Sequence, residues 1–94
     1  MINDREKLKK IIHHYGAHPQ ISKAVEELIE LSEVLIKDMN KGDLDRNGLY
    51  EEMADVLIMV EQLKIIYNID TAALQKMIDM KIDRTLERMG GCQI

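Results

Sequence analysis

The sequence predicts an all-α chain of four helices, and three observations carry that prediction. Apolar residues recur three and four positions apart along most of the chain, the spacing of one face of a helix turning about 100° per residue. The breakers Gly16, Gly42 and Asn68-Ile69-Asp70 fall between these periodic stretches. Composition agrees: at 46% hydrophobic and 32% charged, the chain resembles a soluble helical domain and not a disordered one.

The first helix is expected over Asn3 to Tyr15, with Asn3 and Glu6 as an N-terminal capping pair and Leu8, Ile11, Ile12 and Tyr15 on its apolar side. Lys7, Lys9 and Lys10 are expected to face water. Gly16 ends that helix, and Pro19 suits the first turn of the next. The second helix is expected from Pro19 to Met39, with Ile21, Ala24, Val25, Leu28, Leu31, Ser32 and Leu35 on one face. Asn40-Lys41-Gly42-Asp43 breaks the pattern, and this loop, extended to Asn47-Gly48, is the expected mobile segment. The third helix starts at Asp45 or Leu49 and runs to Tyr67. Asp70 is a good N-cap for a fourth, Thr71 to Met89, with Leu74, Ile78, Ile82, Thr85 and Met89 along one face.

Ninety-four residues make one domain. A chain this short buries only about 60–65% of its unfolded surface, so a lone monomer is marginal. With three Tyr, no Phe and no Trp, the core must be built from aliphatic residues and seven Met. The third helix also carries Ala54, Leu57, Ile58 and Ile65 on its back and is apolar nearly all round, which marks a helix covered on both sides. A homodimer sharing a four-helix bundle, or a homotetramer, supplies the second cover.

Several function classes are disfavoured. The net charge of −4 argues against a nucleic-acid partner. Cys92 is the only cysteine, which rules out an internal disulfide and argues against thiolate zinc. The longest apolar run, Val56 to Val60, is too short for a membrane span, and Met1 to Lys10 lacks the apolar core of a signal peptide. The expected location is therefore cytoplasmic, with no membrane partner. His13, His14 and His18 are read as structural or exposed, because no Glu-x-x-His pair exists to build a di-iron site.

Two acid clusters hold the chemistry. Glu26-Glu27-Leu28-Ile29-Glu30 sits in the second helix and Glu52-Met53-Ala54-Asp55 in the third. Glu27 and Glu30 share a helix face, as do Glu52 and Asp55. With Val56 at the apolar centre, Leu49, Met53, Met59, Val60, Leu63 and Tyr67 fall within roughly 60°, and Glu52 lies inside that arc. Asp55 sits at its edge. Glu27 is flanked by Leu31 and Val34, while Glu26 and Glu33 lie on the polar side. A lone carboxylate in a core costs several kcal/mol, so converging acids must protonate, pair with bases or share cations. Hard divalent ions, Mg²⁺ or Mn²⁺, match four converging carboxylates best. The alternative is a solvated acidic face with Glu52 paired to a lysine.

Such cations suit phosphoryl chemistry. Lys81, Arg84 and Arg88 form a basic stripe that could hold polyphosphate oxygens or bridge to nearby acids. No P-loop and no G-x-G-x-x-G competes.

The pattern E-E-x-x-E, a spacer of twenty-one residues, then E-x-x-D resembles the signature of the MazG-like all-α NTP pyrophosphohydrolases. His14-Tyr15-Gly16 with Gln20, Val56-Leu57 with Asn68-Ile69-Asp70, and Lys81-Ile82-Asp83-Arg84 are similar to flanking elements of that family, extending the resemblance over residues 11 to 88. It implies a MazG-like bundle, Glu27, Glu30, Glu52 and Asp55 as Mg²⁺ ligands, and Glu26 binding a metal through water or orienting the attacking water. It further implies that Lys81 and Arg84 hold phosphate oxygens, with Gln20 and Asn68 near the nucleotide. The implied reaction cleaves a nucleoside triphosphate between its α and β phosphates, in an enzyme that is a dimer or tetramer and serves nucleotide-pool cleaning. Phosphoribosyl-ATP pyrophosphohydrolase is similar in fold and metal motif, but its Gly-Glu-Glu start is not matched by Ala24-Val25-Glu26. From another class, the rival expectation is a non-catalytic helical interaction module.

Overall fold

The computed structural model describes residues 4–90, which form four α-helices and, among the described residues, no strand. They are α1 (Arg5–Tyr15), α2 (Ala17–Lys41), α3 (Arg46–Ile66) and α4 (Thr71–Arg88). The Asn3 cap and Cys92 fall outside the described residues. Asp4 holds the N-cap position of α1, without a side-chain cap hydrogen bond.

The connections are set by backbone chemistry. Gly16 joins α1 directly to α2 at φ 96°, ψ 153°, a conformation open to glycine and strained for other residues. Pro19 becomes the third residue of α2, where its missing N–H costs nothing because first-turn amides have no intrahelical acceptor. The helix therefore begins two residues earlier than expected. It also runs two residues past Met39, to Lys41, and stops at Gly42 in the left-handed region. Only residues 42–45 then separate α2 from α3. The expected longer loop is not formed, because the Asp45 carboxylate caps α3 by accepting from the Gly48 amide at 3.0 Å, which draws Asn47 and Gly48 into the first turn.

The end of α3 is a Schellman motif. The Ile69 amide donates to the Lys64 carbonyl at 2.8 Å and the Asn68 amide to the Ile65 carbonyl at 3.2 Å, with Asn68 at φ 51°. Asn68 thus has a definite local role, since asparagine tolerates that conformation better than most residues. Asp70 then caps α4 by accepting from the Ala72 and Ala73 amides.

Helices α1, α2 and α3 pack together, with α2 against α3 as the main interface. The buried apolar residues among those described are Leu8 of α1, Ala24 of α2 and Met59 of α3. Helix α4 contributes no buried residue; Leu74 is half-buried, and Ile78, Ile82, Thr85 and Met89 are exposed. A closed four-helix bundle is therefore not formed within one chain. The shape reflects this: the radius of gyration is 16.5 Å over extents of 50 × 38 × 21 Å, whereas a compact domain of this length would have about 12 Å.

Two helix faces are rotated from their expected positions. On α2 the inward residues are Gln20, Ile21, Ala24, Glu27, Leu31 and Val34, while Val25, Leu28, Ser32 and Leu35 are exposed. On α3 the buried line is Met59 and Gln62, and Met53, Val60 and Tyr67 are exposed. Both helices carry apolar residues on more than one side, so hydrophobicity alone does not select which side faces the partner helix.

With so few buried apolar side chains, each matters. Met59→Ala is expected to cost about 2–5 kcal/mol, measured as a lowered midpoint in urea denaturation.

Candidate metal centre

The α2–α3 interface brings the two acid clusters together. Glu27 is four residues from Leu31 and three from Ala24, so packing that face on α3 carries Glu27 inward. The same rotation of α3 that buries Met59 turns Glu52 and Asp55, respectively seven and four residues earlier, toward Glu27. One carboxylate oxygen from each of Glu27, Glu52 and Asp55 lies within 4.8 Å of the others. Glu27 is only 6% exposed, and Glu52 and Asp55 are half-buried.

Three carboxylates this close are poorly compensated. The Lys23 ammonium lies 3.6 Å from Glu27 Oε1, one helical turn away. Among the described residues no basic side chain forms an ion pair with Glu30, Glu52 or Asp55. Two oxygens, Glu27 Oε2 and Glu52 Oε2, are buried with no hydrogen-bond partner. Buried polar atoms are nearly always satisfied, so an orphaned pair in an acid cluster is unusual and costly unless a donor or a cation completes it.

Electrostatics follow from this crowding. Burial first, then the charges of Asp55 and Glu30, push the Glu27 carboxyl up, partly opposed by Lys23. Glu52 is raised to about 7 by burial first, then by Glu30, Glu27 and Asp55. Glu30 is exposed and stands outside the tight trio, yet its charge helps raise Glu52 and so it belongs to the same electrostatic unit.

Two cavities flank the acids. The larger, about 510 Å³, is lined by Glu26, Glu27 and Asp55 together with Lys23, Gln20, Gln62 and apolar walls from Ile11, Tyr15, Pro19, Ile58 and Met59. The smaller, about 270 Å³, is lined by Glu30, Glu52, Glu33, Val34, Lys37, Asp43 and Asp45. Glu26 is exposed and sits at the larger cleft beside the trio.

The other expected site residues are distributed unevenly. Gln20 is buried and lines the larger cleft. Asn68 is exposed at the α3 C-terminus and lines neither cavity. Lys81, Arg84 and Arg88 are exposed on α4, line neither cavity, and make no ion pair among the described residues. A single chain does not bring the basic stripe to the acids. His13, His14 and His18 are exposed, with His14 edge-on to Tyr15 at 4.6 Å, and none joins the acid trio. Two cleft residues were not singled out from the sequence. Lys23 is read from its place four residues before Glu27; Gln62, 2% exposed, gives no signal until the rotation of α3 is known.

The residues fit a hard divalent cation. Glu27, Glu52 and Asp55 supply hard anionic oxygens, two of the buried oxygens lack any partner, and no soft ligand is present in the trio. Among the described residues no helix is long and apolar enough to cross a membrane. Compared with family models, curated proteins and solved structures, the chain matches none of them.

The raised Glu52 carboxyl fixes the sign of a pH effect. Its folded value, about 7, exceeds its ordinary value of 4.5, so between these the folded state holds more proton than the unfolded state. Stability from this group is therefore complete below about 4.5 and lost as pH rises through 7. Melting of the protein in chelator is expected to fall in temperature from pH 5 to pH 8, and Glu52→Gln is expected to flatten that dependence.

Proposed function

We propose that this chain is a Mg²⁺-dependent nucleoside triphosphate pyrophosphohydrolase of the MazG-like all-α type, hydrolysing NTP or dNTP to a monophosphate and pyrophosphate. One observation carries the reading: Glu27, Glu52 and Asp55 converge between α2 and α3 with buried oxygens that no described residue satisfies. Glu27, Glu52 and Asp55, with Glu30 beside them, would hold Mg²⁺, and Mn²⁺ could substitute. When bound, the cation neutralises the polyphosphate and makes a water easier to deprotonate. Glu26, at the cleft beside the trio, orients that water and takes its proton. The water oxygen bonds to the α-phosphorus, the bond to the α–β bridging oxygen breaks, and pyrophosphate leaves with the electron pair. Lys23 is the basic residue at this cleft and faces the triphosphate chain once its tie to Glu27 is released.

The assembly belongs to the same proposal. Helix α4 has no buried residue in one chain beyond the half-buried Leu74, and its exposed Met77, Ile78 and Ile82 lie along the helix that carries Lys81, Arg84 and Arg88. A homodimer, or a homotetramer, covers these apolar residues and brings the basic stripe of one copy toward the acids of another. The exposed apolar surface equally favours a second reading, a non-catalytic helical interaction module, which gives no role to the orphaned carboxylates.

The test is pyrophosphate release from a panel of ribo- and deoxyribonucleoside triphosphates, modified nucleotides and phosphoribosyl-ATP. Turnover is expected with Mg²⁺ and its loss in Glu52→Gln, which keeps the helical circular dichroism; silence across the panel removes the enzyme. Mg²⁺ is expected to raise wild-type stability by about 2.7 kcal/mol at a hundred times its Kd, whereas the interaction module predicts no gain. Mixing inactive Glu52→Gln with inactive Arg84→Ala is expected to restore part of the activity, because a shared site then has one intact copy of each element.

A further inference from the structure

We infer that the larger cleft is a base-recognition pocket in which Gln62 reads a planar heterocycle. The cleft of about 510 Å³ lies within the usual size range of small-molecule sites and combines apolar walls with a few polar groups. Gln62 is 98% inaccessible, lines this cleft, and its Oε1 is buried without a partner. Gln20, 5% exposed, lines it too. Neither side-chain amide makes a hydrogen bond to another described residue. An amide held in an apolar wall costs free energy unless a ligand completes it.

The carboxamide defines the ligand. It presents an acceptor and a donor side by side, so its complement is a rigid edge carrying an adjacent donor and acceptor, the feature by which glutamine reads adenine. Amide rotation exchanges the two, so the pocket can accept either order. Tyr15, one of three aromatic residues in the chain, stands exposed at the cleft and supplies a face for stacking. Glu27 and Asp55 line the same cleft, where a phosphorylated substituent on the heterocycle would meet the cation site. The ligand class, a nucleobase, rests on the pyrophosphohydrolase reading; the unfilled amide does not.

The experiment titrates the full chain in chelator with unphosphorylated nucleosides and follows the side-chain amide NMR signals of Gln62 and Gln20. At least one nucleoside is expected to shift the Gln62 signals saturably, with its Kd weakened at least tenfold in Gln62→Leu. Ligand-free Gln62→Leu is expected to melt no lower than wild type, because it removes an unsatisfied buried group; a large loss of stability would instead make Gln62 structural and overturn the assignment. Absence of any shift up to the solubility limit, or binding unchanged in the variant, overturns it as well. The phosphate-free titration separates the two readings. Pyrophosphate release without nucleoside binding retains the enzyme and discards the pocket, and nucleoside binding without hydrolysis does the reverse.

Discussion

The burial of carboxylates between α2 and α3 is the constraint on which the rest of this structure depends. Glu27 occupies a position that an aliphatic residue would fill in an ordinary helical pair, and Glu52 and Asp55 meet it from the facing helix. Burial and then the crowding of these carboxyls push Glu27 up and raise Glu52 to about 7. An interface of this kind sacrifices stability to keep carboxylates buried.

The thin apolar core has the same origin. Leu8, Ala24 and Met59 are the fully buried apolar side chains described, while the neighbouring inward positions are taken by Gln20, Glu27 and Gln62. Polar groups have displaced hydrophobic ones along the seam between α2 and α3. The apolar residues that would normally fill it, such as Val25, Leu28, Met53 and Val60, are turned outward. That arrangement leaves an acid-lined cleft inside and apolar surface outside, and α4 extends the outer surface further. The acid-lined cleft and the exposed apolar surface are thus two consequences of one helix rotation.

Much of the fold was legible in the chain. The breaks at Gly16, Gly42 and Asn68 follow from local chemistry: a conformation open to glycine, a left-handed stop, and an asparagine closing a Schellman motif. Boundaries shifted by about two residues where a helix end tolerates either outcome, as at Pro19 and Met39. Convergence of the acids was legible in part: Glu27, Glu52 and Asp55 meet, whereas Glu30, placed on the same face as Glu27 by a spacing of three, is exposed outside the trio. What failed was the rotation of α2 and α3. With Leu, Ile, Val and Met on several sides, no single stripe stands out, and Gln62 on the buried line looks like any surface residue.

The sequence by itself determined four helices, their stops and caps, and two acid pairs on two neighbouring helices. These are properties of local dihedral preference and helical period, which act over a few residues. Only the tertiary structure decided which acids meet most closely, that Gln20 and Gln62 are buried beside them, and that Lys81, Arg84 and Arg88 lie away from them in a single chain. The physical reason is that helix rotation is chosen by the sum of packing and desolvation across an interface. Two apolar-sided helices leave that sum nearly undetermined until their partners are in place.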